Sequence, residues 1–82
     1  MNVLYFAWVK QKIGKSHEEI DAHDIKTVRA LAEHLSARGS GYREAFADLS
    51  RLRAAVNQKH VTFDAPIAPH DEIAFFPPVT GG

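Results

Sequence analysis

Apolar positions along the chain follow two periods, and each period predicts an element. Val3-Leu4-Tyr5-Phe6-Ala7-Trp8-Val9 is an unbroken β-branched and aromatic run and predicts a first strand. The polar stretch from Lys10 to Lys15 reads as a turn, with Gly14 able to take positive φ. Ser16 to Ala22 is a candidate returning strand, and Ile20 is its clearest inward residue. The period then changes. Val28, Leu31, Ala32 and Leu35 stand at i, i+3, i+4 and i+7, one face of a helix. Thr27 fits its N-cap, because a hydroxyl there accepts from an orphan amide of the first turn. Gly39 is placed to stop this helix in a left-handed conformation. Gly41 to Leu49 predicts a turn or two of a second helix, with Phe46 and Leu49 inward. Leu52 to Val56 reads as a third strand, and Asn57-Gln58-Lys59 turns the chain into a short strand over His60 to Phe63. Asp64 to Asp71 carries Pro66 and Pro69 and reads as a loop. Glu72-Ile73-Ala74-Phe75-Phe76 is the last strand, ended by Pro77-Pro78.

This order predicts an α+β domain, a mixed sheet of about four to five strands with one main helix laid across one face. Alternate strand residues point to opposite faces. Val3, Tyr5 and Ala7 therefore oppose Leu4, Phe6 and Trp8, and Ile73 and Phe75 oppose Ala74 and Phe76. Both faces are apolar in both strands, yet one amphipathic helix covers only one. Phe6 and Phe76, or their alternates, are expected on an uncovered face, and an apolar patch of that kind is where a partner binds.

Composition narrows the chemistry. Eighty-two residues make one domain with a single small core. Ten basic and ten acidic side chains cancel, so no positive field is available for nucleic acid. The longest apolar run is far too short to span a membrane. Met1 leads straight into it without a basic leader or cleavage site, so no targeting segment is expected. There is no cysteine, which rules out disulfides, thiolate metal sites and a side-chain persulfide. His17, His23, His34, His60 and His70 lack metal-ligand spacing. His17-Glu18-Glu19 and His70-Asp71-Glu72 bring carboxylates near imidazoles, but no hydroxyl nucleophile is placed with an orienting base. Catalysis by this chain alone is not expected.

The feature left over is the end of the chain. Gly81-Gly82 are two residues without Cβ atoms, so they suit a channel too narrow for other dipeptides. A carboxyl there is open to attack from either side, with no α-stereocentre to lose. Pro77 and Pro78 bias the approach toward extended geometry, and residues 78–82 reach about 16–18 Å when extended. The expected layout is a domain over residues 1–77 and a flexible tail over 78–82.

The segment from Asp71 through Phe75-Phe76-Pro77-Pro78-Val79-Thr80-Gly81-Gly82 resembles the end of the molybdopterin synthase small subunits, a family of sulfur carriers. Val3 to Ala7 resembles their first strand, and Ala54-Ala55-Val56-Asn57-Gln58 their middle strand and turn. The resemblance implies a ubiquitin-like β-grasp fold and a cytoplasmic, non-catalytic subunit of a heterotetramer. It further implies that an ATP-dependent partner adenylates Gly82, that sulfur replaces the adenylate to give a thiocarboxylate, and that the tail donates this sulfur to a cyclic pyranopterin precursor. That transfer takes place inside the large synthase subunit. ATP belongs to the activating partner, and no cofactor or metal is implied on this chain. By position, Phe6, His60 and Phe76, with Pro77, Pro78, Val79 and Thr80, match the partner interface, although His60 stands where an aliphatic residue is familiar. The residues alone leave open a thiamine-type carrier, a ubiquitin-like modifier that joins lysines, and an interaction domain with an inert tail.

Overall fold

The computed structural model of the chain describes residues 1–21 and 23–78. Five strands form one sheet: β1 (Asn2–Tyr5), β2 (His17–Glu19), β3 (Arg53–Val56), β4 (Lys59–Val61) and β5 (Glu72–Phe76). Their spatial order is β2-β1-β5-β3-β4. β1 and β5 run parallel at the centre, and the other pairings are antiparallel. Three helices, α1 (Ala7–Ile13), α2 (Val28–Ser36) and α3 (Ser40–Ala45), and a 3-10 turn (Leu49–Arg51) complete the described residues.

The main helix forms as its spacing predicts. The Thr27 hydroxyl accepts from the Ala30 amide at 3.1 Å, and Val28, Leu31, Ala32 and Leu35 are all buried. They join Val3, Tyr5, Ile73 and Phe75 in one core cluster with Val9, Ala45, Phe46 and Leu52. The helices thus share one side of the sheet, and the expected α+β layout holds. Ile20 is buried as expected. β5 has its expected bounds, with Ile73 and Phe75 fully buried and Ala74 and Phe76 half-buried.

Three local readings are corrected. The first strand stops at Tyr5 rather than Val9, and Ala7, at φ 55°, starts an extra helix. Val9 and Ile13 are four apart, one above the other on a helix. Val9 enters the core and Ile13 packs on its edge, while Lys10, Gln11 and Lys12 face out. Gly14 does take positive φ, 89°, but as the cap of this helix, its N–H bonded to the Lys10 carbonyl at 2.8 Å. Gly39 does not stop α2. That helix ends at Ala37 in an ordinary right-handed conformation, and Gly39 is extended at the start of α3. The fourth strand lies over Lys59–Val61, shifted from His60 to Phe63, because Asn57 and Gln58 form the two-residue hairpin turn with φ of 50° and 72°.

Candidate functional site

Parallel pairing sends β1 and β5 toward the same edge of the sheet. Tyr5 pairs with Phe75, and the Phe6 amide extends the ladder to the Phe75 carbonyl at 3.1 Å. Phe6 and Phe76 therefore arrive together where the chain leaves the sheet through Pro77 and Pro78. Phe6 is 49% exposed, the large apolar side chain most open to solvent among the described residues. The face it shares with Phe76 is opposite the helices. Leu4 and Ala74 continue it, both half-buried.

His60 belongs to this face. It pairs with Ala55 across β3–β4, and Ala55 pairs with Ala74 across β3–β5. The two alanines leave room above the sheet, and the His60 imidazole meets the Phe76 ring edge-to-face with centroids 5.2 Å apart. The structure so brings together Phe6, His60, Phe76, Pro77 and Pro78. The remaining expected site residues, Val79, Thr80, Gly81 and Gly82, lie outside the described residues.

Two arginines lie at the same end of the sheet, Arg53 on the open face and Arg51 on the helix side, and the sequence reading did not single them out. Arg53 pairs directly opposite Phe76. Its guanidinium is tethered by donating to the Leu52 carbonyl at 2.8 Å and the Ser50 carbonyl at 3.3 Å. The Arg51 guanidinium lies over the Trp8 ring, 5.7 Å from its centroid. The available signal was the alternation around Leu52, which turns Arg53 outward when Leu52 is buried.

A second polar cluster lies on the helix side. Glu18 Oε2 accepts from the Tyr5 and Tyr42 hydroxyls, each at 2.7 Å. Its Oε1 accepts from Arg38 at 3.3 Å and faces the Lys15 ammonium at 3.5 Å. Desolvation alone would push the Glu18 carboxyl up, but these donors and cations hold it below the usual carboxylate range. Burial, then the bond to Glu18, pushes the Tyr5 phenol up, and the same causes act on Tyr42. The group ties β1, β2 and α3 together. Its signal was parity, since Glu18 is two residues before Ile20 and shares its inward direction. His70-Asp71-Glu72 is a turn lock: Asp71 accepts from Asn57 Nδ2 at 3.0 Å and the Ala68 amide at 2.8 Å.

The model of the ThiS family matches residues 3–82. The chain belongs to the ThiS family. This ThiS-family chain is 46% identical over 82 residues to the molybdopterin synthase sulfur carrier subunit of Escherichia coli K12, covering all of this chain and 99% of that one. Among solved structures, SAMP1 from Haloferax volcanii matches with a TM-score of 0.74 at 23% identity, over 100% of this chain and 98% of that one. A protein–protein complex of subunits 1 and 2 of molybdopterin-converting factor from Helicobacter pylori 26695 contains a chain that matches with a TM-score of 0.66 at 24% identity, covering 99% and 96%. The fold of the ThiS-family chain is the ubiquitin-like β-grasp.

Proposed function

We propose that this chain is the sulfur-carrier subunit of a molybdopterin synthase and that the carboxyl group of Gly82 is the carrying atom group. The observation that carries the reading is the open apolar edge formed by Phe6, His60 and Phe76, at which β5 runs directly into the Pro77-to-Gly82 segment. The name of the 46% identical relative supports the same reading. A free carboxylate is ionised at neutral pH and is a poor electrophile. An ATP-dependent partner would join it to AMP, releasing pyrophosphate. A hydrosulfide equivalent from a separate donor then adds to the carbonyl carbon and AMP leaves, giving the thiocarboxylate.

Loaded in this way, the tail enters the large, catalytic synthase subunit and its sulfur passes to the cyclic pyranopterin precursor. The folded body positions and supplies no acid or base to the reacting atoms. Phe6, His60 and Phe76 dock on each partner in turn, and Pro77 and Pro78 aim the residues beyond them. The subunit acts in the cytoplasm, where ATP is available, within a heterotetramer. Residues 1–77 act as the domain and 78–82 as its tail.

The test is the intact mass of the chain after co-expression with its adenylating enzyme. The expected species has one oxygen replaced by sulfur, localised by fragmentation to Gly82. Lysine-linked adducts would instead make the chain a modifier, and an unchanged mass would make the tail inert.

A further inference from the structure

The open face is polarised along the strand direction. β1 and β5 begin at the paired Asn2 and Glu72, with Glu19 opposite Asn2. They end beside Arg53, paired to Phe76 on the open face, while Arg51 lies at the same end on the helix side, over Trp8 of α1. On this face acidic side chains therefore mark one end and Arg53 marks the end from which the chain departs, with Arg51 behind it on the helix side. The chain as a whole has no net charge, so this is an arrangement rather than an excess.

These arginines differ from Arg29 and Arg38. Arg29 pairs with Asp64 at 3.1 Å and Arg38 with Glu18 at 3.3 Å. Neither Arg51 nor Arg53 makes an ion pair among the described residues. Asp48, the acid nearest in sequence, accepts from the amide and hydroxyl of Ser50 at 3.1 and 2.6 Å, and these bonds, with a smaller pull from the Arg51 charge, hold its carboxyl below the usual range. Both guanidiniums are nevertheless held, one by two carbonyls and one by an indole face. A fixed, unpaired guanidinium loses little freedom when it meets a carboxylate, and its planar fork suits two-point contact.

Resting on the sulfur-carrier reading, we infer that Arg51 and Arg53 are the charge-reading part of the docking surface, and that the partner protein presents carboxylates at the mouth of the channel that receives the tail. The apolar residues Phe6 and Phe76 supply the adhesion. The arginines set the orientation, so that the tail end of the body meets the channel first. Charges at the border of an apolar contact act mainly on encounter rate and register.

The test is stopped-flow association of the full chain with the recombinant large synthase subunit of the same organism, at low and high ionic strength. The double reversal Arg51→Glu/Arg53→Glu is expected to slow association about tenfold at low salt, with the difference fading to about twofold at high salt. Arg51→Lys/Arg53→Lys is expected to keep most of the rate, and Arg51→Gln/Arg53→Gln serves if the reversal fails to fold. An association rate and salt slope unchanged in the Glu or Gln variants, with wild-type binding intact, would overturn the inference alone. Wild-type chain that fails to bind the large subunit would overturn the carrier reading on which it stands.

Discussion

Single side chains divide into those that hold the body and those that lie on the open face. Phe76 is half-buried on the open face, its ring edge against His60. Phe76→Asp is expected to weaken binding to the large subunit at least tenfold while shifting the melting temperature by only a few degrees. Isothermal titration beside a thermal melt checks both halves. Glu18 is the opposite case, a carboxylate whose worth is internal. Glu18→Gln keeps the shape and removes the charge, and is expected to cost about 1–2 kcal/mol in urea unfolding at neutral pH. Because the folded Glu18 pKa lies below its unfolded value, its contribution is full above the ordinary carboxylate range and drains as pH falls through the folded pKa. The variant should therefore show a flatter acid limb in a plot of stability against pH. Tyr5 acts on the other flank. Its folded pKa is raised from 10.0, so the stabilisation is full below about pH 10 and is lost as pH climbs beyond it.

At the scale of elements, legibility followed how much of a period each segment displayed. α2 shows four apolar positions on one face with a capping threonine, and every one of them is buried. β5 alternates cleanly between Glu72 and a proline pair, and its bounds were readable to the residue. α1 was hidden because Trp8 and Val9 extend the apolar run of β1 without a polar break. The helical spacing of Val9 and Ile13 becomes visible only once Ala7 turns the chain. The α2 terminus was misread because a glycine two residues past Ala37 looks like a left-handed stop, whereas Gly39 serves the next helix. The open edge was legible from strand parity, and the arginines beside it were not, since their common position depends on β3 pairing with β5. The hairpin turn offers a direct check. Gln58 holds φ 72°, a conformation that costs an ordinary residue about 1–2 kcal/mol and glycine almost nothing. Gln58→Gly should raise the unfolding free energy by about 0.5–1 kcal/mol once the added flexibility of the unfolded chain is subtracted, read as a higher denaturant midpoint at unchanged slope.

For the whole molecule, folding and delivery are separable tasks. Among the described residues the core cluster runs no further than Phe75, with Leu31, Leu35 and Ile73 fully buried. Deleting Gly82, or adding one residue after it, is expected to abolish sulfur transfer while moving the melting temperature by less than about 1 °C, since the folded core is untouched. Transfer measured by product formation with the large subunit, beside a calorimetric scan, decides it. The placement of β5 between β1 and β3 also has a mechanical side. Any pull exerted on the chain beyond Pro78 is transmitted along the axis of a strand clamped on both flanks. Its ladder bonds must then give way together in shear rather than unzip singly, so an enzyme can tug on this terminus without unravelling the anchor behind it.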